Sequence, residues 1–280
     1  MTASKTASKD ILLLLKVSRP VFWPIAPLIF FVGLHVSGAS FSIMALVEFL
    51  LLSFPYALFV FGVNDVYDYA TDKLNGRKRL VQGLVLHPRY HRMVMRYVWI
   101  SGALIMLCSL LTLNLSNIIL TVLLLLFSYF YSARPIRLKE LPIIDSLSNG
   151  FVVLFVSLLG FSFGQPIMAL PIKVIFAVIC VAGIHALATI LDYDADSRAH
   201  VKTFATVLGK RSAAFFASVI FVLVLFFSGI ASLMLNIYIS LCAVSSIILV
   251  IHPSKNLALF LSRIIFIGFF VFTILFLIFG

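Results

Sequence analysis

Apolar residues in this chain run in long blocks rather than alternating with polar ones. Nine such blocks cover residues 11–36, 41–63, 94–113, 117–133, 143–164, 171–191, 212–234, 237–252 and 258–279. Each is close to the roughly 20 residues a helix needs to cross the bilayer hydrocarbon. The pattern predicts an all-α integral membrane protein, a bundle of nine transmembrane helices with a polar cap on one side, and residues 1–280 as a single transmembrane domain. Arg19-Pro20, Pro24 and Pro27 interrupt the first block, which is therefore bent or starts late, and Pro55 bends the second. Alternate connections are tight turns, such as Val36-Ser37-Gly38 and Gly164-Gln165-Pro166. Three of the others, at 64–93, 132–142 and 192–211, are longer and polar.

Charge adds an orientation. The net charge is +11 and only 11% of residues are charged, against about 25% in soluble domains; mean hydropathy is +1.17. Lys5, Lys9, Lys16 and Arg19 precede or open the first block, and further bases fall at 73–96, 134–139, 198–211 and at Lys255 and Arg263. The short turns between them carry none. This positive-inside arrangement places the N-terminus and the three long connections in the cytoplasm, and it speaks against nucleic acid as a partner. Met1 to Lys16 lacks a small-residue cleavage site and reads as a cytosolic tail rather than a signal peptide. Cys108, Cys180 and Cys242 lie inside apolar blocks without metal-ligand spacing, and read as small buried residues.

The acids are distributed unevenly. Six of the ten acidic residues occupy two clusters, Asn64-Asp65-Val66-Tyr67-Asp68-Tyr69-Ala70-Thr71-Asp72 and Asp192-Tyr193-Asp194-Ala195-Asp196. Carboxylates beside lipid-spanning sequence are costly and default to a functional reading. Asn64, Asp68 and Asp72 stack along one helix face, and Asp192 and Asp196 repeat the spacing. Two such faces could hold divalent cations, and hard oxygen ligands suit Mg²⁺ carrying a substrate phosphate. Bases follow closely: Arg77 and Lys78 after the first cluster, Arg137 and Lys139 between the two, Arg198 and Lys202 after the second. Any one of them alone is an ordinary topology signal; together with the acids they form a pocket for a metal-bound diphosphate. Ordinary solvated helix ends are the plain alternative. His185, seven residues before Asp192, falls on a similar helix face, although a bundle-internal hydrogen bond is its commonest use.

Three motifs then resemble one family. Asn64-Asp65-x-x-Asp68-x-x-x-Asp72, Asp192-x-x-x-Asp196 and the intervening Tyr131-Ser132-Ala133-Arg134-Pro135-Ile136-Arg137-Leu138-Lys139 are similar, in order and position, to the motifs of the UbiA superfamily of intramembrane prenyltransferases. The resemblance implies Mg²⁺-dependent transfer of a polyprenyl group from an allylic diphosphate to a lipophilic acceptor, with the active site on the cytoplasmic side of an inner or plasma membrane. It makes Asn64, Asp68, Asp72, Asp192 and Asp196 the Mg²⁺–diphosphate set, with Asp65 supporting, and Asp68 and Asp192 central to catalysis. Lys202 falls in a K-T pair (Lys202-Thr203), and Arg19 matches a base facing the acceptor pocket. Tyr131 is the aromatic expected to shield the allylic cation. Lys78-Arg79-Leu80-Val81-Gln82-Gly83 lacks the proline of many quinone-forming members, and Leu74 to Lys78 is nearer to members that prenylate carotenoids. A cation-coupled transporter is the second reading, although its acids would be expected at the bilayer midplane rather than at helix ends beside bases. The phosphatidyl-alcohol transferase pattern D-G-x-x-A-R is absent.

Overall fold

The computed structural model describes residues 2–74 and 84–279, and among these there is no strand. Nine helical segments among the described residues are long and apolar enough to cross a membrane, from 20–37 through 255–279. The fold class expected from the apolar blocks is therefore the one observed. The helices divide into two compact units, residues 1–137 with 155–167, and residues 138–154 with 168–280.

In the first unit, α1 (Thr2–Val17) precedes a break at Ser18-Arg19-Pro20. The Trp23 indole donates to Ser18 Oγ at 3.1 Å and holds that break in place. The first crossing thus starts late, at Pro20, and continues as α2 (Ile25–Ser37). The second block is split into α3 (Ile43–Leu51) and α4 (Phe54–Tyr67), with Pro55 in the first turn of α4, where its missing N–H costs nothing. A one-turn α5 (Tyr69–Asp72) follows directly. α6 (His91–Leu111) and α7 (Leu115–Ser132) pack on α4, burying Leu58, Phe59, Val63, Val94 and Val98. The last turns of α8 (Ile144–Phe161) lie against α2 so closely that Gly33 and Gly160 face backbone atoms of the other helix. On α3, Glu48 is buried and accepts from the Asn117 amide of α7 at 3.0 Å, while Ser109 of α6 donates to Asn117 at 2.6 Å. Satisfied in this way, a polar group can sit inside a helix bundle.

The second unit is built on α9 (Ile172–Arg198), a 27-residue helix. Short α10 (Phe204–Leu208) leads into α11 (Lys210–Phe227), α12 (Leu233–Ile251) and α13 (Lys255–Phe279). Small residues on α9 and α11, among them Ala182, Ala186, Ala213, Ala214 and Ala217, are fully buried and let these helices approach each other closely. Large exposed apolar side chains such as Trp99, Leu107, Leu111, Phe226 and Phe260 are what a lipid-facing surface requires.

Candidate active site

The first acid cluster straddles the α4–α5 junction. Asp68 caps α4 with φ −101° and ψ 6°, yet the i to i−4 backbone bonds persist: Asp68 N donates to Asn64 O at 2.9 Å and Asp72 N to Asp68 O at 2.8 Å. The single face expected for Asn64, Asp68 and Asp72 therefore survives a local break in the helix. Asp65, Asp68 and Asp72 are all buried, at 0%, 5% and 4% exposure. Three carboxylates held this far from water need nearby positive charge.

Two arginines supply part of it. The Arg19 guanidinium donates to Asp65 Oδ1 at 2.6 Å and to Asn64 Oδ1 at 3.3 Å, and lies 4.3 Å over the Phe61 ring. Arg137, itself buried, donates to Asp68 Oδ1 at 3.2 Å and to the carbonyls of Ser132 and Tyr67. Both arginines adopt positive φ, 52° and 49°. For residues with a Cβ this conformation costs about 1–3 kcal/mol, and it is tolerated where the surroundings demand it. The Asn64 amide donates to Asp68 Oδ2 at 2.7 Å and to Ser132 Oγ at 3.1 Å, which ties the second and fourth crossings together at this level. Tyr131, in the last turn of α7, is half-buried beside Ser132; two residues earlier, Tyr129 meets Tyr67 hydroxyl to hydroxyl at 3.2 Å. Arg77 and Lys78 lie outside the described residues.

In the second unit, Asp192 and Asp196 stand one turn apart near the end of α9, half-buried and buried respectively. The intervening Asp194 points elsewhere, pairing with Lys210 at 3.4 Å and Lys255 at 3.5 Å. Arg198 closes α9 and is exposed, as is Lys202 ahead of α10; Lys139 is half-buried in the 138–140 turn. Asp145 was not anticipated. It is fully buried in the first turn of α8, where its Oδ2 accepts from Phe204 N at 3.0 Å and so secures the start of α10 next to Lys202-Thr203. Its neighbour Ser146 contacts His185 Nδ1 at 3.2 Å. Asn149 donates to the Asp145 carbonyl one turn back.

Among the described residues no three His, Cys, Asp or Glu side chains group as a ready-made cage. Each cluster instead offers two carboxylates one turn apart, with the Asn64 amide oxygen added in the first. Such a donor set fits Mg²⁺, which keeps waters and takes phosphate oxygens to complete its octahedron.

A polytopic helical membrane protein with buried aspartates and clamping arginines at a helix end is the class this architecture defines. The chain belongs to the UbiA prenyltransferase family, whose model matches residues 25–258, and it is a prenyltransferase. A lycopene elongase/hydratase from Haloarcula japonica is 32% identical over 207 residues, covering 72% of this chain and 69% of that protein. Two solved structures share the fold. One, described as bearing on digeranylgeranylglyceryl phosphate synthase in membranes, has a TM-score of 0.70 at 19% identity and covers 96% of this chain and 98% of its own. The other, a UbiA homolog from Archaeoglobus fulgidus bound to GPP and Mg2+, has a TM-score of 0.64 at 20% identity and covers 93% and 99%. Membership of an enzyme family removes the transporter reading.

Proposed function

We propose that this enzyme moves a prenyl group from an allylic prenyl diphosphate to a lipophilic isoprenoid acceptor, in first place a linear carotenoid, using Mg²⁺ at the cytoplasmic face of the membrane. The observation that carries the reading is the trio of buried carboxylates Asp65, Asp68 and Asp72, beside Asn64, gripped by two arginines of positive φ. The acceptor class draws on the Haloarcula japonica relative, and the donor on the homolog bound to GPP and Mg2+.

Asn64, Asp68, Asp72, Asp192 and Asp196 are the residues that would hold Mg²⁺, which supplies Lewis-acid stabilisation to a departing diphosphate. Arg19 holds Asp65, and Arg137 holds Asp68, so that these oxygens are oriented before substrate arrives. Lys139, Arg198 and Lys202, with Arg77 and Lys78, donate charge-assisted hydrogen bonds to diphosphate oxygens. Tyr131 lends an aromatic face to the allylic cation and helps exclude water.

The test uses purified protein with a labelled prenyl diphosphate and lycopene. Asp68→Asn and Asp192→Asn, each nearly isosteric, lower turnover at least about a hundredfold, or roughly 2.7 kcal/mol. EDTA abolishes turnover and added Mg²⁺ restores it. Substantial turnover by an Asp68→Asn/Asp192→Asn protein sinks the assignment.

A further inference from the structure

Prenyl transfer to an alkene leaves a charge that must be removed. As the allylic C–O bond breaks, its electron pair leaves with the diphosphate. The acceptor's π pair then forms the new C–C bond, and the neighbouring acceptor carbon becomes cationic. Either an adjacent C–H bond breaks, its pair forming a new C=C, or a water oxygen bonds to that carbon. Both routes release one proton, and something must accept it away from bulk water.

His185 is placed to do so. It shares a helical stripe on α9 with Thr189, Asp192 and Asp196, a spacing of 4, 3 and 4 residues. Seven residues separate it from Asp192, which puts it about 10 Å further from the charged end of the helix. That is where the reacting carbons of a substrate anchored by its diphosphate would be, rather than its phosphates. The ring is half-buried and oriented: Nδ1 meets Ser146 Oγ at 3.2 Å. Asp145, next to Ser146 in the chain, is itself fixed by Ser146 N and Phe204 N. An imidazole held in one orientation by a neighbouring hydroxyl is suited to proton capture, because its ring nitrogens can take up a proton at neutral pH. Imidazole also enters a low-dielectric site without carrying a charge, unlike another aspartate.

We propose that His185 is the catalytic base that receives this proton, with Ser146 and Asp145 as positioning residues. The proposal rests on the isoprenoid-acceptor reading above. The experiment counts coupled product per diphosphate released, with a labelled prenyl diphosphate and lycopene, for the wild type, His185→Gln and Ser146→Ala. In His185→Gln that ratio falls about tenfold or more, the low end of what a positioned base contributes, and the shortfall appears as free prenyl alcohol. Ser146→Ala, which keeps the ring but loosens it, shows a smaller fall in the same direction. An unchanged ratio in His185→Gln overturns the proposal, because diphosphate or solvent then takes the proton. If His185→Gln is not recovered folded from detergent, an unchanged ratio in Ser146→Ala overturns it equally. Diphosphate release in Asp68→Asn and Asp192→Asn reports on the underlying reading alone, so the two failures are separate results.

Discussion

Arg19 and Arg137 each combine a strained backbone with a buried ion pair, and the two costs point to one purpose. Neither guanidinium can be removed without leaving a carboxylate uncompensated: Asp65 is fully buried and Asp68 nearly so. Breaking one side of such a pair costs about 3–5 kcal/mol, whereas neutralising both sides costs far less. Arg19→Met should therefore lower the melting temperature in detergent strongly, and Arg19→Met/Asp65→Asn should recover most of the loss. A double variant no more stable than Arg19→Met would mean that Arg19 acts mainly through its stacking on Phe61. The second cluster offers a sharper contrast. Asp194 is 39% exposed and pairs with Lys210 and Lys255; pairs of this kind contribute below about 1 kcal/mol. Asp194→Asn should leave turnover within about threefold of wild type, a barrier change well under 1 kcal/mol. Asp196→Asn, on the stripe with Asp192, should all but abolish it. Matched assays of the two variants check whether the D-x-x-x-D spacing, rather than acidity as such, carries the chemistry.

At the level of helices, α2 and the last turns of α8 approach each other backbone to backbone within the first unit. A Cβ at Gly33 would collide with the Ser157 carbonyl, and one at Gly160 with the Phe30 carbonyl. Both obstacles are backbone, so the helices must separate rather than a side chain turn aside. Gly33→Ala and Gly160→Ala should each destabilise by about 1–3 kcal/mol, the range for overpacking; unchanged thermal stability in detergent would show that the helices yield freely. These contacts also mark what the sequence could not reveal. The crossings were legible because lipid-facing helices must be apolar along their whole length, and the late start at Pro20 followed from proline chemistry. Asn64, Asp68 and Asp72 were legible because their spacing equals the helical repeat. Asp145 was not, because its partner Phe204 N lies 59 residues away and only the fold brings them together. The same holds for Ser132, whose hydroxyl receives the Asn64 amide across 68 residues. Arg137 was anticipated as a phosphate ligand, yet its guanidinium is engaged by Asp68 and two carbonyls. Sequence spacing reports a residue's face on its own helix, but not which distant group occupies that face.

For the whole molecule, the remaining question is which side of the membrane carries the acids. The excess of Lys and Arg in the long connections predicts a cytoplasmic location, because orientation follows the bases rather than net charge. The protein is well suited to a direct test, since Cys108, Cys180 and Cys242 are all buried and give a low labelling background. Ser197, exposed next to Asp196, reports on the acid side; Met168, 94% exposed in the turn between the fifth and sixth crossings, reports on the other. In intact cells a membrane-impermeant maleimide should label Met168→Cys and spare Ser197→Cys, and inside-out vesicles should reverse the pattern. Labelling of Ser197→Cys from outside would invert the orientation. A prenyl diphosphate is too highly charged to cross the hydrocarbon unaided. The inverted arrangement would therefore require the donor to be supplied from the outer face, and turnover in intact cells given external prenyl diphosphate would distinguish the two.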